Sequence, residues 1–262
     1  MFDHNIAIVT VNSGGGLLNK SIQTWPNDFQ VYSIDGGDGL YGLEAIHLAI
    51  QKLQKFEFLI FLDEDVFMEN SKLIRALIEK MVDEKIDVYG VRDAFIGDIR
   101  QFNPEVLNTF LFIMKLKNVL PIYCINEIKK NQYLVPHEFG NKISVQPGNY
   151  NYEILAEPYY CFFLWLKRKG MNFKYLKTSQ NYFENDSITT TIYVDDLIFC
   201  HHTWYAREYN KCNIQKNRIN KVISSLSLIG KPRNIRNLRS RNYIKSIKFI
   251  LKKNLIKLSN IF

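Results

Sequence analysis

Three carboxylates in succession, Asp63-Glu64-Asp65, follow directly on the apolar run Phe58-Leu59-Ile60-Phe61-Leu62. Like charges crowded at the end of a buried strand repel one another unless a cation neutralises them. In an extended chain side chains alternate, so Asp63 and Asp65 project one way and Glu64 the other. Two carboxylates on one side suit Mg²⁺ or Mn²⁺, which favour oxygen ligands and complete their shells with phosphates. The plainer reading is a solvated acidic loop. A second group of chemistry-bearing residues is Phe199-Cys200-His201-His202-Thr203-Trp204-Tyr205-Ala206-Arg207. Adjacent histidines on an extended segment face opposite sides, so only one of His201 and His202 is expected to join a site. The Arg207 guanidinium matches phosphate oxygens, or else serves a surface ion pair. Glu157, just before Pro158, stands where a helix amino terminus favours a carboxylate.

These residues need a scaffold, and the first 90 positions supply a regular one. Ile6–Val11 reads as a strand stopped by Asn12-Ser13-Gly14-Gly15-Gly16, and Gln30–Asp35 as a second strand ended by Gly36-Gly37. Helical spacing follows from Leu43 to Leu53, then a buried strand from Phe56 to Leu62. Ser71 is placed to cap a helix running to about Val82, and Asp87–Val91 is the next strand. Strands alternating with helices predict an α/β fold with a mainly parallel sheet covered on both faces and ligands at the carboxyl ends of its strands. Asn12, Asp35 and Asp63–Asp65 should then converge on one edge. From Ala94 to Tyr152 the proline- and aromatic-rich sequence suggests irregular structure with an antiparallel piece. Pro158–Gly170 reads as a helix opened by proline, Phe173–Leu176 as a strand, and Ile188–Cys200 as strand-like.

With 262 residues, 47% of them apolar and 14% aromatic, the chain can bury a full core, which excludes wholesale disorder. No apolar run reaches the roughly 18–20 residues that cross a bilayer, and the amino terminus lacks a secretory pattern. Cys124, Cys161, Cys200 and Cys212 show no paired spacing, so a zinc ribbon or disulfide framework is not expected. A cytoplasmic setting follows as the expectation. The net charge of +8 is uneven. Residues 230–262 hold ten Lys or Arg and no acid, leaving 24 basic against 26 acidic residues, about −2, in the first 229. This divides the chain into a near-neutral body, 1–229, and a basic tail, 230–262. Within the tail, Tyr243, Ile244, Ile247, Ile250, Leu251, Leu255 and Leu258 share one side of a helical wheel opposite the lysines. Such a helix suits an anionic membrane surface, or docks on the body with a solvated lysine face. No nucleic-acid-reading motif accompanies the charge.

The order of strand, Asn-bearing loop, strand ending in Asp-Gly, helix, then buried strand ending in D-x-D resembles the nucleotide-binding half of GT-A glycosyltransferases, closest to the inverting family 2 type. The likeness covers about residues 5–95, with 96–229 as the acceptor half. It implies that Thr10, Asn12 and Asp35 hold the base and ribose, that Asp63 contacts ribose or phosphate, and that Asp65 ligates the metal. The chain departs from the family where an Ala-Arg-Asn-like motif is usual, having Ala45-Ile46-His47 instead. Glu157, ahead of a helix ending in Lys167-Arg168-Lys169-Gly170, is similar to the family's acidic motif. The resemblance makes it the general base, with Asp93 as the fallback. A late histidine beside the metal is implied too, His201 before His202, and Arg207 at the leaving diphosphate.

The activity implied is metal-dependent transfer, with inversion, from a nucleotide-sugar, expected to be UDP-linked, to a glycan or lipid-linked acceptor. With the basic tail at the inner face of the cell membrane, this would serve bacterial surface polysaccharide synthesis. Two other classes are expected to behave differently. A sugar nucleotidyltransferase needs a glycine-rich basic loop, which Asn12–Lys20 matches loosely. A non-enzymatic basic-tail protein would bind no nucleoside diphosphate.

Overall fold

A computed structural model describes residues 4–37, 39–96, 100–139, 151–180, 182–226 and 234–239. Its strands are β1 (Ile6–Asn12), β2 (Gln30–Asp35), β3 (Phe58–Leu62), β4 (Val66–Met68), β5 (Val88–Arg92), β6 (Ala94–Ile96), β7 (Arg100–Gln101), β8 (Leu107–Lys115), β9 (Phe173–Tyr175), β10 (Lys177–Ser179), β11 (Thr190–Val194), β12 (Leu197–His202) and β13 (Ile235–Arg239). The helices are α1 (Leu18–Ser21), α2 (Leu43–Lys52), α3 (Leu73–Asp83), α4 (Leu116–Val119), α5 (Ile125–Lys129), α6 (Tyr160–Arg168) and α7 (Asn213–Ser225).

The central sheet runs β13-β2-β1-β3-β8-β5-β9. Every neighbouring pair is parallel except the two that involve β8. This is the α/β, mainly parallel arrangement expected from the alternation of strand and helix patterns. All five residues of β3 are buried, because both faces of the strand are covered. Leu59 and Phe61 enter the apolar layer under α2 and α6, while Phe58, Ile60 and Leu62 enter the layer under α3. A smaller antiparallel sheet, β10-β11-β12-β4, stands beside it. β4 begins immediately beyond the acidic triplet, so the second sheet grows from the end of β3. Helix α7 closes over this region through Ile219, Val222 and Ile223 against Leu17 and Phe67.

Several local expectations change. Helix α3 begins at Leu73 after Lys72 and has no side-chain cap, so Ser71 does not cap it. Helix α6 begins at Tyr160, and Pro158 precedes it rather than opening it. The strand expected across Ile188–Cys200 is a hairpin of β11 and β12. Asp195 and Asp196 turn it with φ of 46° and 66°. Tight two-residue hairpins need positive φ at both central positions, which aspartate tolerates, but Asp-Asp lacks the glycine that usually marks such turns. Of the segment Phe173–Leu176, Phe173–Tyr175 is strand β9 of the main sheet, and after Leu176 the chain enters β10 of the other. The antiparallel piece expected within Ala94–Tyr152 is β8, inserted between β3 and β5.

The basic stretch from residue 230 is not wholly separate from the body. β13 pairs in parallel with β2 at the sheet edge, and Leu238 and Ile235 pack on the two apolar layers. The amphipathic helix expected over 243–258 lies outside the described residues. Among the described residues no helix is long and apolar enough to cross a membrane.

Candidate active site

The carboxyl ends of β1, β2 and β3 lie side by side, as the parallel register requires: Asn12 pairs with Asp35, and Val9 with Phe61. Beyond these ends opens a cleft of about 690 Å³. Its wall includes Ser13, Tyr41, Asp63, Asp65, Arg100, Glu157, Tyr159, His202, Trp204 and Arg207.

The acidic triplet is a turn between β3 and β4, closed by Val66 N–H donating to Asp63 O at 3.1 Å, and its side chains divide between two directions. Glu64 turns to the loop after β1, where its Oε1 accepts hydrogen bonds from the backbone N–H of Ser13 at 3.1 Å and from the Ser13 hydroxyl. Asp63 and Asp65 share the other direction and meet His202, with one ligand atom from each of the three lying within 4.8 Å of the others. The antiparallel pairing of β12 on β4, His202 opposite Val66, brings the histidine there. Its Nε2 is 3.1 Å from Asp65 Oδ1. The ring stacks on Phe110 at 4.0 Å between centroids and leans on Trp204 at 4.2 Å. Its Nδ1 is buried and has no hydrogen-bond partner in the structure.

Crowding raises the carboxyl groups here. Burial, then the neighbouring Asp65 carboxylate, push Asp63 up to about 6. Burial pushes Glu64 up to about 7 against the opposing hydrogen bonds from Ser13. Two clustered carboxylates and one imidazole, whose Nδ1 is buried without a hydrogen-bond partner among the described residues, form a donor set that fits a divalent cation.

His201, favoured by the family likeness, faces away. Its Nε2 lies 2.9 Å from Glu69 Oε2 and its Nδ1 3.1 Å from Thr191 Oγ1, and Tyr182 packs on the ring. Burial lowers its pKa. The physical reason is sidedness: β12 pairs with β11 on one flank and β4 on the other, and the pleat sends successive residues to opposite faces.

A second polar group lies in the same cleft. Arg100 donates from Nη1 to Glu157 Oε1 at 2.8 Å and lies 3.6 Å from Asp93 Oδ2. Asp93 is fully buried and saturated: Tyr159 and Tyr160 hydroxyls donate to Oδ2 at 2.8 and 2.7 Å, and Asn108 to Oδ1 at 2.6 Å. Burial raises its pKa, opposed by Arg100. Asp93 is therefore placed behind the cleft, supporting its wall, whereas Glu157 is part of that wall. Arg100 was not singled out by sequence reasoning. A lone arginine beyond a weak strand pattern carries no local signal.

The remaining expected residues separate. Arg207 lines the cleft with its guanidinium 5.4 Å from the Tyr41 ring centroid. Asn12 and Asp35 stand at adjoining strand ends but bond locally, their Oδ1 atoms accepting from the N–H of Gly14 and Gly37 at 2.8 Å. Thr10 is buried within β1 and its hydroxyl has no partner. Neither it, Asn12 nor Asp35 contributes to the cleft wall. Of the three tryptophans, Trp204 lines the cleft while Trp25 and Trp165 are core. The glycine loop packs on the turn that carries Arg207. Asn210 Nδ2 donates to Gly15 O at 2.9 Å, and a Cβ on Gly15 would stand 2.4 Å from Ala206 O.

No family model matches the sequence, and no curated protein matches it. Among solved structures, the mannosyltransferase PcManGT from Pyrobaculum calidifontis, in complex with GDP-Man and Mn²⁺, aligns with a TM-score of 0.35 and 8% identity over 45% of this chain and 46% of its own. A197 from STIV aligns with a TM-score of 0.41 and 12% identity over 73% and 86%. The glycosyltransferase GlyE from Streptococcus pneumoniae TIGR4 aligns with a TM-score of 0.38 and 9% identity over 88% and 66%. The chain thus spans about half of the first and about two thirds of the third, and the fold assignment rests on the strand order and register described above.

Proposed function

We propose that this chain is a metal-dependent glycosyltransferase with a GT-A-like fold, taking its sugar from a nucleotide-sugar donor. The observation that carries the reading is the Asp63–Asp65–His202 donor set at the carboxyl ends of parallel strands, in a cleft that also holds an arginine and a separate carboxylate. Asp65, Asp63 and His202 would hold Mn²⁺ or Mg²⁺. When bound, such an ion supplies positive charge against the phosphate oxygens of a departing nucleoside diphosphate. Arg207 supplies a guanidinium to the same oxygens. Glu157, in the same cleft, takes the proton from an acceptor hydroxyl as that oxygen attacks the anomeric carbon and the bond to the diphosphate breaks. Arg100, holding Glu157 Oε1, leaves Oε2 as the proton-accepting atom. A single displacement, with the acceptor oxygen attacking opposite the departing diphosphate, would give inversion. Trp204 and Tyr41 offer ring faces for sugar or base.

A UDP-linked donor, a glycan or lipid-linked acceptor and a role in bacterial surface polysaccharide synthesis belong to this proposal, as does contact of the basic tail with an anionic membrane. Calorimetric titration of UDP, GDP and dTDP, with and without Mn²⁺, on the wild type and Asp65→Ala tests it. Metal-dependent binding of one nucleotide that Asp65→Ala abolishes supports the reading; no binding under any condition ends it. Pyrophosphate release from a nucleoside triphosphate would instead favour the nucleotidyltransferase.

A further inference from the structure

Arg218 lies on α7, outside the cleft, with its side chain only 10% exposed. Nη1 donates to Thr189 Oγ1 at 2.8 Å and Nε to Gln215 Oε1 at 3.0 Å, and Asp186 Oδ1 stands 3.9 Å away. Its remaining nitrogen, Nη2, reaches two main-chain carbonyls, those of Thr203 and Trp204. These belong to the residues that follow His202 directly. Trp204 and Tyr205 both take left-handed backbone, with φ of 57° and 59°. Two bulky residues in succession in that region persist only where the surroundings hold them. The same short segment is tied to the acidic triplet: Thr203 N–H and Oγ1 both donate to Asp65 O, at 3.0 and 3.2 Å.

We infer that Arg218 is a positioning residue for the metal-ligand set, clamping the carbonyls of the strained turn so that His202, Asp65 and the Arg207 segment keep their places. The inference rests on the metal reading of the cleft and adds to it a residue that touches neither ligand side chain nor substrate. The rigid guanidinium fork holds Thr189 with Nη1 and Gln215 with Nε and thereby aims Nη2 at both carbonyls, and lysine, a compact point charge on a flexible stem, does not reproduce that set. If Arg218 served only to neutralise Asp186 and stabilise α7, its loss would lower thermal stability and leave metal affinity alone.

The test is Mn²⁺ affinity of the full chain, read by electron paramagnetic resonance of free Mn²⁺, beside the melting temperature without metal. The variants are Arg218→Lys, Arg218→Gln, Thr203→Val and the Arg218→Lys/Thr203→Val pair, with Asp65→Ala as control. Arg218→Lys keeps the charge beside Asp186 and should weaken Mn²⁺ binding about 10-fold or more, the scale seen when partners of metal ligands are removed. Thr203→Val should weaken it similarly, and the double variant by less than the product of the two, since both act through one segment. Should Arg218→Gln fail to fold, Arg218→Lys and Thr203→Val still decide the matter. Arg218→Lys binding Mn²⁺ within about twofold of wild type overturns the inference. A wild type that binds no Mn²⁺, like Asp65→Ala, overturns the metal reading and this inference with it.

Discussion

His202 Nε2 lies 3.1 Å from Asp65 Oδ1, a contact between residues 137 positions apart. It exists because β12 lays itself antiparallel on β4, the strand that starts right after the acidic triplet. Under the proposed function, metal ligation joins the two sheets, and the expected behaviour of variants follows from which group stands on which side of that junction.

Asp65→Ala should reduce Mn²⁺ affinity by at least about 100-fold, equivalent to about 2.8 kcal/mol. Without metal, loss of the His202 Nε2 contact is partly offset by relief of the repulsion that, after burial, raises Asp63, so the variant should lose no more than about 1–3 kcal/mol, the cost of one buried partner. Calorimetry with and without Mn²⁺ measures both.

The two histidines should part company. His202→Gln should weaken Mn²⁺ binding about 10- to 100-fold. His201→Gln should leave it within about twofold while costing about 1–3 kcal/mol of stability, since Thr191 and the buried strand lose a bonded partner. Chemical denaturation beside metal titration separates the effects, and the reverse pattern would assign the ligand to His201.

Stability and metal affinity should run oppositely with pH. Asp63 and Glu64 titrate in the fold at about 6 and about 7, above their unfolded values. Between the unfolded and folded values the native state keeps protons that the unfolded chain has released, so stability of the metal-free protein falls as pH rises from about 4 to 7. Mn²⁺ binding needs the carboxylates deprotonated and should strengthen over the upper part of that range. Melting curves in EDTA and in Mn²⁺ across pH 4–8 should therefore diverge as pH increases; parallel curves would contradict the assignment.

Glu157, which lines the cleft, and Asp93, buried behind it, should fail differently. Glu157→Gln should lower transfer by about 10²–10⁴-fold at unchanged nucleotide affinity, the span of general-base effects. Asp93→Asn should first lose stability, about 1–3 kcal/mol, because it disturbs a buried acceptor serving Tyr159, Tyr160 and Asn108. Steady-state rates set against denaturation midpoints distinguish a base from a brace.

Gly15→Ala should cost about 1–3 kcal/mol, because the new methyl would meet the Ala206 carbonyl at 2.4 Å and backbone on both sides must move. Since that carbonyl precedes Arg207, nucleoside diphosphate binding should weaken as well. Unaltered affinity would show that Arg207 does not depend on the loop.

Much of this protein was legible along the chain. Short apolar strands separated by helical spacing determined the sheet class, and the acid triplet at the end of a doubly buried strand marked the place of the site, because both signals are local: pleat, periodicity and burial repeat within a few residues. What tertiary structure alone decided were choices between equivalent faces and partners. The sequence placed His201 and His202 on opposite sides but not which side held Asp65, since that depends on the register of β12 against β4. It offered Asp93 and Glu157 as alternative bases, and packing separated them by burying one behind Tyr159 and Tyr160. Arg100 and Arg218 left no local trace, for an arginine's role is set by the groups that chain folding delivers to its fixed fork of donors.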